Sequence, residues 1–129
     1  MAGESILIIE DNPSNLKLAK TLLKIEGYNI QTATNAEEAI SLLKTFIPQL
    51  ILMDLQLPGM DGLHLTQQLK SDPRLQNIII VAMTAYAMTR DKEKAIAFGC
   101  DGYITKPIDV KVFPSEVVLY LKSSTRPAP

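Results

Sequence analysis

Apolar positions in this chain gather into five short runs, each followed by a segment whose apolar side chains recur at helical or alternating spacing. Ile6-Leu-Ile-Ile9 carries no charge, as expected for a strand covered on both faces, and it delivers Glu10 and Asp11 at its carboxyl end. Asn12 predicts an N-cap and Pro13 the first helical position, where a missing N–H costs nothing. Leu16, Ala19, Leu22, Leu23 and either Ile25 or Glu26 keep the helical period up to Gly27, a C-terminal stop. Asn29 to Thr34 alternates polar and apolar side chains, the pattern of a half-exposed edge strand. Thr34-Asn-Ala-Glu37 predicts a capping box for a second helix with the stripe Ala36, Ala39, Ile40 and Leu43, ending before Pro48.

Leu50 to Met53 is the next buried run, and it drives Asp54 directly into a turn that Pro58-Gly59 completes. A third helix is expected from about Gly62 to Lys70, with Leu65 and Leu69 one turn apart and Asp72-Pro73 as its stop. Ile78 to Met83 is the most β-prone run and releases Thr84 at its tip. A fourth helix, from about Thr89 to Phe98 with Gly99 as its stop, has its apolar face interrupted by Lys92, Glu93 and Lys94 and is expected to be the loosest. Gly102-Tyr-Ile-Thr105 forms a short last strand leading to Lys106-Pro107. Asp109 is a candidate cap for a fifth helix through Val112, Val117, Val118 and Leu121. Pro114 would remove a hydrogen bond inside it, so either the helix starts near Pro114 or its first turn is bent.

Strands alternating with helices through short connections predict a doubly wound α/β domain, a (βα)5 three-layer sandwich on a parallel sheet with right-handed crossovers. The edge-like second strand favours the order 2-1-3-4-5. Residues 5–122 form the domain, after a lead-in of residues 1–4; Ser123 to Pro129 reads as a disordered polar tail.

Composition narrows the function. At 129 residues the chain is one domain with room for a core. A net charge of -1, with 13 basic residues spread along the chain, leaves no electrostatic footprint for nucleic acid. The single cysteine, Cys100, excludes an internal disulfide and a multi-cysteine zinc site, and reads as a small buried hydrophobe in a reducing compartment. No apolar run is long enough to span a membrane, and Met1 to Glu4 leads straight into a strand without a signal peptide, so a cytoplasmic protein is expected.

In the predicted strand order the first and third strands are neighbours. Glu10, Asp11 and Asp54 then meet at one switch point, where ligands bind in open α/β sheets, with Thr84 and Lys106 arriving from the fourth and fifth strands. Asp54 alone could be a helix cap or a loop ion-pair partner. Five such groups at four strand tips are harder to explain as a solvated acidic rim. Three close carboxylates repel, so a cation belongs among them, and an oxygen-only donor set suits Mg²⁺ shared with a phosphate. Thr84 offers a hydroxyl and Lys106 an ammonium for the oxygens of a phosphoryl group. Asp54 is then the nucleophile, and an aspartyl phosphate the product.

At these residues the chain resembles the receiver domains of two-component response regulators. The resemblance rests on Ile-Leu-Ile-Ile-Glu-Asp-Asn12, Leu-Met-Asp-Leu-Gln-Leu-Pro-Gly-Met-Asp-Gly62, Met-Thr-Ala85 and Gly-Tyr-Ile-Thr-Lys-Pro107. Thr-Ala-Tyr-Ala-Met88 and Gly-Cys-Asp-Gly-Tyr-Ile-Thr-Lys-Pro-Ile108 look most like single-domain regulators of the DivK type and receivers of hybrid kinases. It implies the CheY-like, flavodoxin-like fold and phosphoryl transfer to Asp54 from a histidine kinase or histidine phosphotransfer protein. It also implies Mg²⁺ held by Asp11, Asp54 and the backbone carbonyl of Gln56, with Glu10 acting through water. Thr84 and Lys106 would contact the phosphoryl group, and Tyr103 would rotate between outward and inward positions. Such a domain catalyses its own phosphorylation and dephosphorylation without being a conventional turnover enzyme, and with no output domain after the last helix it would signal by protein–protein contact.

Lys106-Pro107 can hold a cis bond that aims the lysine, or be an ordinary trans bond opening a loop. His64, the only histidine, reads as a solvated helix residue, and Met60, Met83 and Met88 as packing. Pro114 and the bulky pair Gln56 and Tyr86 depart from the commonest receiver pattern, the pair flanking the path of an attacking water. Three rivals remain at this stage. One is an interaction module that never handles phosphate. An aspartate-nucleophile phosphatase would need a second acid, which Leu55-Gln56 lacks. A flavin-binding protein would need a hydroxyl-rich phosphate loop.

Overall fold

A computed structural model describes residues 3–57, 62–85 and 89–123. Pro58, Gly59, Met60, Asp61, Tyr86, Met88 and the tail beyond Ser123 lie outside the described residues. The elements run β1 (Ser5–Ile9), α1 (Pro13–Ile25), β2 (Asn29–Ala33), α2 (Ala36–Leu42), β3 (Leu50–Asp54), α3 (Gly62–Lys70), β4 (Ile79–Thr84), α4 (Thr89–Ala97), β5 (Gly102–Thr105) and α5 (Phe113–Ser123). The five strands form one parallel sheet in the order β2-β1-β3-β4-β5, the predicted order.

Strand alternation divides the core in two. Ile6 and Ile8 of β1 face one side with Ala19 and Leu23 of α1 and Phe113, Val117 and Leu121 of α5. Leu7 and Ile9 face the other with Ala39 of α2, Leu65 and Leu69 of α3 and Ala95 of α4. Both faces of β1, β3 and β4 are therefore covered, which is why their sequences are continuous apolar runs. Cys100 is buried and Met83 lies wholly in the core.

The helix ends depart from the expected ones in informative ways. Asn12 caps α1 as predicted, its side chain accepting from the Asn15 N–H at 3.0 Å. The capping box of α2 is shifted by one residue. Asn35 is the N-cap, accepting from the Glu38 N–H at 2.9 Å, and Glu38 rather than Glu37 reaches back to the Thr34 N–H and hydroxyl at 2.6 and 2.7 Å. Thr and Asn can both cap, Asn somewhat better, and Asn35 takes the role here. Ile25 is 73% exposed and takes no part in the core face of α1. Asp109 heads a turn rather than α5: its Oδ1 accepts from the Lys111 N–H at 2.9 Å and its carbonyl from the Phe113 N–H at 2.8 Å. Val112 is consequently an exposed turn residue, α5 begins at Phe113, and Pro114 falls in the first turn, where it removes no helical hydrogen bond.

The Glu38 cap gives a pH dependence. Hydrogen bonds from the Thr34 N–H and hydroxyl hold the Glu38 carboxyl below its ordinary value. A carboxyl depressed by folding stabilises the fold above its unfolded value and loses that contribution as pH falls through the folded one. Glu38→Gln is expected to lower the melting temperature at neutral pH, and the gap to wild type to close below the folded Glu38 value. Parallel melting curves across the acid range would refute this by showing a constant gap.

Beneath the sheet, Lys70 clips three segments together. Its Nζ donates to the Ile78 carbonyl at 2.8 Å, the Gln76 carbonyl at 3.3 Å and Asp101 Oδ2 at 2.8 Å, and that same carboxylate oxygen accepts from the Ile80 N–H at 2.8 Å. The clip ties the end of α3 to the starts of β4 and β5.

Candidate functional site

At the other end of the sheet the strands release the groups singled out from the sequence. β1 ends into Glu10 and Asp11, β3 ends on Asp54, β4 on Thr84, and β5 runs into Lys106. The pairing β1·β3·β4·β5 brings them to one place. Asp54 is 3% exposed and Glu10 1% exposed, two carboxylates in a nearly dry setting, while Asp11 is exposed. One oxygen from each of Glu10, Asp11 and Asp54 lies within 4.8 Å of the others.

Lys106 is drawn into this cluster. Its Nζ stands 2.8 Å from Glu10 Oε1 and 3.3 Å from Asp54 Oδ1. The Lys106-Pro107 bond is cis, one of the two conformations left open. The Lys106 N–H donates to the Thr84 carbonyl at 2.8 Å, which ties the chain entering the lysine to the tip of β4. Asp54 Oδ1 also accepts from the Gln56 N–H at 3.0 Å, and Glu10 Oε2 accepts from the Asn12 N–H at 3.2 Å. These backbone donors set how each carboxylate is turned. The Gln56 side chain is exposed, and Thr84 is 6% exposed.

The charges do not balance. Burial pushes the Asp54 carboxyl up, and close contact with Glu10 pushes it further, against the opposing pull of the Gln56 N–H and Lys106. Burial alone would lower the Lys106 ammonium, but Glu10 and Asp54 outweigh it and the net shift is upward, so the lysine stays charged. One ammonium therefore stands beside two buried acids, with the oxygens of Asp11 close to both. Glu10 Oε1 is buried and receives no directed hydrogen bond from the described residues, although Nζ lies beside it. Two nearly dry carboxylates and an exposed third form a hard, all-oxygen donor set, which fits a divalent cation such as Mg²⁺.

Behind Asp54, Gly62 opens α3 in direct contact with β3. A Cβ at this position would fall 2.6 Å from the Asp54 carbonyl and 2.9 Å from Leu55 Cα, both backbone atoms. The Gly62 N–H donates to the Leu55 carbonyl at 3.2 Å. Sequence reasoning used Gly62 only as a helix boundary, although its lack of a side chain is what lets α3 seat beside the acid. Tyr103 is half-buried on β5, with Lys92 Nζ of α4 4.7 Å from its ring centroid. His64 is an exposed residue of α3 whose ring meets Phe98 edge to face, 5.6 Å between centroids.

The sequence and the fold both have relatives among known proteins. The family described as response regulator receiver domain matches residues 6–117. The polar-differentiation response regulator DivK of Brucella anthropi is 42% identical over 118 residues, covering 92% of this chain and 96% of the relative. The signal receiver domain of a signal transduction histidine kinase from Syntrophus aciditrophicus superposes with a TM-score of 0.86 at 34% identity, covering 97% of this chain and 95% of that one. The Mn²⁺-bound form of response regulator Rcp1 superposes with a TM-score of 0.80 at 25% identity, covering 97% of this chain and 99% of that one.

Proposed function

The chain belongs to the response regulator receiver domain family, whose general function is phosphorylation-dependent signalling, and from that premise we propose that Asp54 is its phosphoacceptor. Receiver domains take phosphoryl groups from histidine kinases and act on downstream partners. The observation that carries the assignment is the placement of Asp54: a buried carboxylate at the tip of β3, 3.3 Å from a lysine and within reach of two further acids.

A carboxylate oxygen of Asp54 attacks phosphorus of a phosphohistidine on a histidine kinase or histidine phosphotransfer protein. The O–P bond forms as the P–N bond breaks, and the electron pair leaves on the imidazole nitrogen, which takes up a proton. The Gln56 N–H holds the Asp54 carboxylate in one rotation for that attack. Lys106 supplies positive charge where the transferred group gains negative charge, and the Thr84 hydroxyl donates to one of its oxygens. Asp11, Asp54 and the Gln56 carbonyl would hold Mg²⁺, with Glu10 acting through water. When bound, the ion neutralises phosphate and carboxylate charge. The Mn²⁺-bound state of Rcp1 is consistent with a divalent cation in a site of this type. The family and the reducing-compartment signature of one buried cysteine support a cytoplasmic setting. No helix among the described residues is long and apolar enough to cross a membrane.

Incubation with Mg²⁺ and a small acyl phosphate is expected to add one phosphoryl group by intact mass, and Asp54→Asn to abolish the gain. The same variant is expected to melt above wild type in chelator, because it removes a buried like charge beside Glu10, with roughly 4 °C gained per kcal/mol relieved. Full mass gain in Asp54→Asn would sink the assignment.

A further inference from the structure

β5 is an edge strand of the sheet, yet its outer edge is not open. Tyr120 of α5 lays its phenol against it: the hydroxyl accepts from the Tyr103 N–H at 3.3 Å and donates to the Tyr103 carbonyl at 3.1 Å. One side-chain atom thus takes both backbone groups of Tyr103, the work a neighbouring strand would otherwise do. The contact is built into the sequence of β5. Gly102 precedes Tyr103, and a Cβ there would fall 2.6 Å from the Tyr120 hydroxyl oxygen, with the ring carbons closer. Glycine inside a four-residue strand is otherwise a weak choice, and here its absent side chain is the seat of the ring.

Tyr103 in turn carries Lys92 of α4 above its ring. One residue of β5 therefore meets α4 through its side chain and α5 through its backbone. We propose that Tyr120 is a positioning residue that couples α5 to the Asp54 site: it fixes the Tyr103 backbone in β5, and the Lys106 N–H that follows this strand is bonded to the Thr84 carbonyl at the tip of β4. The coupling rests on the phosphoacceptor reading above; the backbone clamp does not. With the hydroxyl in place, a change at the tips of β4 and β5 reaches α5 through two hydrogen bonds. Without it, Tyr103 can rearrange while α5 stays as it was.

The test uses the isotope-labelled full chain with Mg²⁺ and beryllofluoride as the phosphoryl mimic. Tyr120→Phe keeps the ring on Gly102 and removes only the hydroxyl. It is expected to bind the mimic as wild type does, with the same amide shifts at Asp54 and Thr84. Exchange of the Tyr103 amide is expected to speed up roughly three- to tenfold, about what one net hydrogen bond is worth. The mimic-induced shifts of the Leu119 and Leu121 amides are expected to shrink, and Gly102→Ala to shrink them too by displacing the ring. Intact α5 responses in both variants, a silent α5 in wild type that binds the mimic, or unchanged Tyr103 exchange in Tyr120→Phe would each overturn the proposal. Failure of wild type to bind the mimic would count against the Asp54 reading and overturn the coupling with it, leaving Tyr103 exchange to judge the clamp alone.

Discussion

Replacing Lys106 with methionine is expected to slow phosphorylation of Asp54 by roughly a hundred- to a thousandfold, the usual loss when one pre-placed charge-stabilising group is removed. It is also expected to destabilise the fold in the absence of divalent cation. Methionine keeps the length and apolar stem of lysine, so packing changes little. What changes is that Glu10 and Asp54, both nearly dry, lose the ammonium at 2.8 and 3.3 Å. Breaking a buried ion pair by removing one partner costs about 3–5 kcal/mol. The lower end applies here, because Asp54 already sits above the ordinary carboxyl value and can take up a proton to relieve the strain. Melting curves with chelator and with excess Mg²⁺, beside a mass time course with a small phosphodonor, check both halves. If the variant melts like wild type in chelator, the lysine is not the counter-ion of the cluster.

The second large effect is expected at Gly62. On helix propensity alone, alanine inside a helix is better than glycine by about 0.8–1.0 kcal/mol, and less in a first turn. Here the added Cβ meets the Asp54 carbonyl at 2.6 Å and Leu55 Cα at 2.9 Å, and backbone cannot swing aside as a flexible side chain can. Overpacking of this type costs about 1–3 kcal/mol, so the clash should win, with a net loss of about 1–2 kcal/mol. The displaced atoms are the carbonyl of the proposed phosphoacceptor and the Cα of the residue after it, so the phosphorylation rate should fall together with the melting temperature. A Gly62→Ala protein more stable than wild type, phosphorylating normally, would show that α3 is loosely seated.

These outcomes depend unequally on what the sequence reveals. The strand tips were readable because each buried strand is a charge-free run that ends on a polar group: Ile9 into Glu10, Met53 into Asp54, Met83 into Thr84. Once the strand order follows from that pattern, Glu10, Asp11, Asp54, Thr84 and Lys106 converge without any further information. Frame errors appeared where two residues compete for one local role. Thr34 and Asn35 can both cap, and Asn35, the stronger cap, stands directly before the helix that had to bury Ala36 and Ala39. For α5 a cap at Asp109 and a start near Pro114 were both open, and Phe113, which had to enter the core fully, decides for the second.

Least legible were contacts between residues far apart in the chain. Lys70 and Asp101 are 31 positions apart, and nothing local in either segment announces the pair. The Tyr120 clamp left one trace, the glycine inside β5, which signals a close approach without saying by what.

The Lys70 clip has a consequence for how the molecule divides its labour. It gathers complementary partners at the amino end of β4 and β5, whereas the carboxyl ends carry acids in excess of their cation. Anchorage and discord are thus kept apart by one strand length, roughly 17–20 Å. A domain arranged in this way can leave its reactive rim unreconciled, waiting for visitors to complete it, because its footing is secured elsewhere.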